Sequence, residues 1–203
     1  DAVAQERALL RSAPARAFWQ AQLAGHTVGR LPPHDGTRRG EGHEGGEVDE
    51  DPASRSAAVP LSAETARRLG ALARALNLPL RALLLAAHLR VMSVFSGEED
   101  VLTGVVSHAR PATRDGDKVL GLFLNTLPLR LALAGGSWRS LIDASFRAEM
   151  ALMPYRAYPY ARIVQDNGRR PLFETAFNFV NFHVYGDLGR DASLEFLGGT
   201  AFE

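Results

Sequence analysis

The run Gly121-Leu-Phe-Leu-Asn-Thr-Leu-Pro-Leu-Arg-Leu131 is apolar at nearly every step, yet a polar Asn125-Thr126 pair sits inside it. Half-buried strands alternate apolar and polar side chains, so a run this apolar reads as a buried strand, with Asn125 to Leu133 as its body. An amide inside a wall of Leu and Phe is costly unless something hydrogen-bonds it. A ligand channel would satisfy Asn125, and so would a neighbouring backbone group. The segment alone leaves both open.

Around that strand the pattern alternates between helices and strands, with no internal repeat. Gln5 to Leu23 carries a helical stripe through Leu9, Leu10, Ala13 and Ala17, with Pro14 as a kink or break and Gly25 as the stop. Ser62 reads as an N-cap for a helix whose Ala66, Leu69, Ala73 and Leu76 share a face. After Asn77-Leu-Pro79 a second helix begins, and its broad apolar surface, Leu80 through Val91 and Val94, predicts burial on more than one side. His88 on that helix reads as a core or boundary histidine. Asp100 to Val106 is a short buried strand. Ser137 caps a helix to about Met153 with Trp138, Leu141, Ile142, Phe146 and Met150 on one face. Phe177, Phe179 and Val180 open a β-rich stretch. Such alternation predicts an α/β layered fold.

One stretch stands apart. Residues 33–56 are rich in Gly, Asp, Glu, His and Arg with almost no apolar side chains, which predicts a flexible surface loop. Acids crowd Glu41 to Asp51 around His43, but glycine-rich flexibility favours a solvated loop over a metal site.

Charge narrows the function classes. The 23 acidic and 23 basic side chains of the 203 residues cancel, which argues against an electrostatic grip on nucleic acid or an anionic membrane. Arg81, His88 and Arg90 interrupt the longest apolar stretch, so no membrane-spanning run of about 20 residues forms. The chain has no cysteine, which excludes disulfides and suits a reducing cytoplasm.

Motifs in order along the chain resemble the condensation domains of nonribosomal peptide synthetases. Gly121 to Arg130 is similar to the family's Gly-x-Phe-x-Asn-Thr-Leu-Pro-Leu-Arg. Ala17-Phe-Trp-Gln-Ala-Gln-Leu-Ala-Gly25 resembles its Phe-Trp-x-x-x-Leu-x-Gly, and Leu31-Pro-Pro-His-Asp35 its Leu-Pro-x-Asp. Ser96 to Gly104 and Ser107-His-Ala-Arg-Pro111 resemble Gly-x-x-Asp-Val-x-x-Gly and Gly-Arg-Pro. Tyr158-Pro-Tyr160, Arg170-Pro-Leu-Phe173 and Phe177-Asn-Phe179 complete the series. The family's adjacent histidines followed by Asp-Gly do not occur; all six histidines are isolated, and His34-Asp35-Gly36 lacks the spacer.

The resemblance implies a chloramphenicol-acetyltransferase-like fold, a mixed sheet with packed helices in each lobe, in which two lobes meet around a tunnel. Residues 1–203 then read as a partial C-terminal lobe that needs the N-terminal lobe, and the expectation is inactivity of this chain alone, with no catalytic residue of its own. Donor and acceptor carrier proteins deliver substrates on phosphopantetheine arms, and neighbouring synthetase domains complete the assembly. No cofactor or metal is expected to bind this lobe. Alternatives are a lobe of a related coenzyme A- or carrier-dependent acyltransferase, or a noncatalytic docking relative. For the tunnel wall the resemblance points to Asn125, with Thr126, His108 and Arg110 beside it. Structural roles fall to Gly121, Phe123, Arg130, Tyr158, Pro159, Asp166 and Arg170: Arg130 in an ion pair, Pro159 in the first turn of a helix, and Asp166 paired with Arg170.

Overall fold

The computed structural model describes residues 2–32, 57–111, 116–133 and 135–180. The expected loop at 33–56, with His34, Asp35 and His43, and the β-rich continuation past Val180 lie outside them. Two helices, α1 (Ala2–Arg11) and α2 (Ala13–Leu23), meet at Ser12. The break expected at Pro14 comes from both residues, because Ser12 caps α2 by accepting from Ala15 N–H while Pro14 occupies its first turn. Helix α3 (Ala63–Leu76) starts on the predicted Ser62 cap and ends at Asn77, whose φ of 54° closes it in the left-handed region. Helix α4 (Leu80–Ser96) follows.

Strands β1 (Asp100–His108) and β2 (Leu124–Ala132) pair antiparallel, from Asp100 opposite Ala132 to His108 opposite Leu124. A short β3 (Ala176–Phe177) adds parallel to β1, giving the order β2-β1-β3. Pro128, which has no N–H to offer, is tolerated because β2 is an edge strand among the described residues. Helix α5 (Trp138–Leu152), capped by Ser137, and α6 (Tyr160–Asp166) complete the elements.

The core lies between the sheet and the helices, with Leu85 and Leu89 of α4, Val105 of β1, Leu127 and Leu129 of β2 and Leu152 of α5 all fully enclosed. Gly104 of β1 is a packing requirement, since an added Cβ would come within 2.5 Å of the Phe173 ring and 2.7 Å of Thr126 Cγ2. Trp19 of α2 is buried, and its indole N–H has no partner among the described residues, a desolvation cost of about 1–3 kcal/mol that surrounding packing must offset.

Two helix faces differ from expectation. On α4 the buried set is Ala82, Leu83, Leu85, Ala86 and Leu89, while Val91 and Val94 face outward, so the helix buries one broad side. On α5 the buried stripe runs through Leu141, Ile142, Ser145, Glu149 and Leu152, leaving Trp138 and Met150 exposed. The cause is Glu149. Its carboxylate accepts from Arg81 Nε of α4, and Arg81 Nη2 donates to Val106 O of β1 at 3.0 Å, so the charged pair turns α5 toward α4 and the sheet. The Arg81 guanidinium also lies 5.5 Å from the Phe177 ring centre.

Candidate functional site

An open groove of about 610 Å³ lies where the segment leading into β2 faces the corner between α5 and α6. That volume falls in the range of small-molecule sites. A second recess, about 10 Å³ beside Gly29 and Met92, holds no more than a water.

The first wall is the arm Val119–Leu124. Gly121 turns it with φ of 152°, a conformation that a Cβ would oppose. Arg110 braces it from behind by donating to Gly116 O at 3.2 Å and to Val119 O at 2.6 Å, with its guanidinium stacked 4.6 Å from the Phe123 ring centre. Ala109 N–H donates to Phe123 O at 2.7 Å, which ties the arm to the end of β1. Phe123 is therefore half-buried, while Leu120, Leu122 and Leu124 are 97%, 86% and 56% exposed.

The second wall is Ala157, Pro159, Tyr160 and Ala161, with Val3 and Glu6 of α1 at the rim. Asn125 joins the walls. Its Nδ2 donates to Arg156 O at 2.9 Å and Tyr158 O at 2.8 Å, and its Oδ1 accepts from Tyr160 N–H at 3.3 Å. Both amide hydrogens are thereby committed to main-chain carbonyls. Of the two partners that the sequence left open for Asn125, main-chain carbonyls take both amide hydrogens, while the residue also lines the groove.

The other expected residues divide. Gly121, Phe123 and Pro159 line the groove. Thr126 does not; its methyl packs over Gly104. His108 is exposed at the end of β1, outside the lining, and Arg110 acts from behind the arm. Pro159 stands one position earlier than expected, at the N-cap of α6, where its carbonyl accepts from Arg162 and Ile163. Asp166 pairs with Arg162 at 3.0 Å, one helical turn back, and accepts from the buried Tyr158 hydroxyl at 3.3 Å. The expected Asp166–Arg170 pair does not form, because the i,i+4 geometry of α6 brings Arg162 to that carboxylate and Arg170 lies exposed beyond the helix.

Arg130 makes the structural ion pair. Its Nη2 lies 2.6 Å from Asp100, and Nη1 donates to Ala24 O at 2.7 Å at the end of α2, where a cation suits the helix dipole. Hydrogen bonding to Asp100 raises the Arg130 pKa further, so it stays charged throughout the working range. Away from the groove, Thr103 Oγ1 is hydrogen-bonded to Thr175 O at 3.0 Å and to His88 Nε2 at 2.9 Å, which links α4 to β1 and to the segment before β3. Burial lowers the His88 pKa. Sequence reasoning missed the Arg81–Glu149 pair and the leucine arm, although alternate leucines after the polar 112–118 stretch are a visible signal for the latter. No cluster of three His, Asp or Glu side chains suited to a metal occurs among the described residues.

A family model described as a condensation domain matches residues 3–196. The chain belongs to the condensation-domain family. It is 40% identical over 187 residues to the AMB antimetabolite synthetase AmbE of Pseudomonas aeruginosa, covering 90% of this chain and 8% of that protein. Against a linear gramicidin synthase of Brevibacillus parabrevis the identity is 32% over 133 residues, 62% of this chain and 2% of that one. Among solved structures, the first condensation domain of the CDA synthetase superposes with a TM-score of 0.70 at 20% identity, over 89% of this chain and 38% of that chain. The X-domain from teicoplanin biosynthesis gives 0.66 at 18%, over 86% and 40%. At these identities the structural likeness carries the fold, which is the mixed α/β architecture expected of a partial condensation domain. The chain thus spans well under half the length of the relatives it matches. Amide-bond formation in peptide synthesis is the general function of the family.

Proposed function

We propose that this chain is one lobe of a condensation domain that joins a carrier-tethered donor thioester to a carrier-tethered acceptor amine, and that the groove beside β2 is its share of the substrate channel. The acceptor nitrogen attacks the thioester carbonyl, the C–N bond forms and the C–S bond breaks. The proton lost by nitrogen ends on the departing phosphopantetheine thiol. This lobe contributes positioning, which is a large part of what such a reaction needs. The remaining catalytic groups come from the other lobe of the same domain, since the described groove offers neither a histidine nor a free amide donor. Carrier proteins and neighbouring synthetase domains, in the cytoplasm, are the partners of this reading.

The observation that carries it is the family match over residues 3–196, which includes both groove walls. The test incubates the complete parent domain with loaded donor and acceptor carriers and reads products by mass spectrometry. Amide product from the parent, and none from residues 1–203 alone, is the expected pair of results. A parent domain that yields an ester or no product overturns the reading.

A further inference from the structure

Strand β3 stops after two residues, and its own ladder gives the reason. Gly104 N–H donates to Thr175 O at 2.8 Å, and the parallel register sets Gly104 beside Ala176 and Val105 beside Phe177. In a parallel ladder each strand offers its groups to a given neighbour at every second residue, so the rung after Phe177 would join Phe179 N–H to Val106 O. That carbonyl is taken. Arg81 Nη2 donates to it at 3.0 Å, while Nε of the same guanidinium is held by the buried Glu149 carboxylate. Pairing accordingly ends at Phe177, although Asn178, Phe179 and Val180 follow directly.

We infer that residues 178–180 form a strap able to zip onto β1, and that Arg81 is the catch that holds it off. In the closed arrangement Phe179 N–H takes Val106 O and Phe179 O takes His108 N–H, so β3 lengthens along β1. The two arrangements lie close in energy, because Val106 O exchanges one N–H donor for another. Phe179, two residues beyond Phe177, also comes onto the face on which Arg81 already meets an aromatic ring at 5.5 Å. Closure bears on the groove through β1. His108 stands opposite Leu124 of β2, and the next residue, Ala109, ties the arm through Phe123 O. A strap paired to Val106 and His108 holds the end of β1 from its other side, and the arm with it. The inference stands on the ladder and the ion pair, whatever chemistry the groove serves.

The test follows amide exchange in the complete parent domain at single-residue resolution. With Arg81 in place, Phe179 should exchange at least about a hundredfold faster than Phe177, whose N–H is a rung to Gly104 O. Arg81→Met together with Glu149→Leu removes the catch without stranding a charge, and exchange at Phe179 and His108 should then slow by about tenfold or more. Adding Phe179→Pro to that pair removes the N–H that closes the strap, and His108 should return to its original rate. Phe179→Pro on its own reads the same rung without touching the buried pair. Because the open strap uses no N–H of Phe179 in the ladder, it should leave exchange at Phe177 and His108 unchanged. A Phe179 amide as slow as Phe177 in the unaltered domain, or one that stays fast once Arg81 and Glu149 are replaced, overturns the inference. So does a His108 rate that ignores Phe179→Pro in the triple variant, or that rises with Phe179→Pro alone.

Discussion

The side-chain amide of Asn125 donates to the carbonyl of Tyr158 across 2.8 Å, joining the start of β2 to a turn 33 residues further along the chain. With its bonds to Arg156 and Tyr160 it supplies the backbone of the whole 156–160 corner with a side-chain partner. The polar residue that looks out of place in an apolar run is what shapes one wall of the groove.

Asn125→Ala should therefore destabilise the chain by about 1–3 kcal/mol, because two carbonyls and an N–H lose a shared partner. Asn125→Asp should cost at least as much, since one carboxylate oxygen would face the carbonyls that now accept from Nδ2. Urea titration measures both. Turnover of the parent domain per folded molecule should survive Asn125→Ala, and a large loss there with unchanged stability would restore a direct role toward substrate.

The Arg81–Glu149 pair should behave as a buried ion pair does. Glu149 is 4% exposed, and removing either partner leaves an uncompensated charge against α4, α5 and the sheet. Arg81→Met or Glu149→Leu alone should cost about 3–5 kcal/mol, while the double replacement should cost less than either single change. Denaturant melts of the three variants check the ordering. A double variant as unstable as the sum of the singles would show that the two charges do not compensate each other.

His88 gives a pH dependence with a definite sign. Burial lowers its native pKa below the usual 6.5, so between those two values the unfolded chain binds more protons than the native one. The stabilising contribution is complete above about pH 6.5 and is lost as pH falls toward the native value. His88→Gln keeps a side-chain hydrogen-bond partner for Thr103 without a titrating ring. Between about pH 7 and 5.5 it should lose less stability than the unsubstituted chain, and parallel loss in both would overturn the assignment.

Much of this structure follows from local sequence rules. Ser62 and Ser137 start helices by accepting an N–H three residues on, and Asn77 ends one through its left-handed backbone. What sequence could not give was decided by contacts between distant segments. Trp138 and Met150 outrank Glu149 in any apolar periodicity, yet Glu149 is the buried one, because an arginine 68 residues earlier waits for it. Asp166 had three arginines within four residues in sequence, Arg162, Arg169 and Arg170, and helix geometry selected Arg162. Asn125 fitted both a channel and a backbone clamp until the corner at 156–160 was brought beside it. The groove residues were named in part, through Gly121, Phe123, Asn125 and Pro159, but the leucines between them read as ordinary strand.

Arg110 separates a brace from a stability element. It holds the arm by two carbonyls and a ring face, and none of these contacts lies in the core. Both carbonyls are reached from the single Nη1, which a lysine ammonium can imitate, but lysine lacks the planar face that stacks on Phe123. Arg110 is half-buried but touches no core side chain, so Arg110→Lys should leave the melting temperature within about 2 °C of the parent value. The arm itself should loosen, and amide exchange at residues 119–123 should quicken by about tenfold while β1 and β2 stay protected. Unchanged exchange at 119–123 would mean that Gly121 and the Ala109–Phe123 hydrogen bond fix the arm without Arg110.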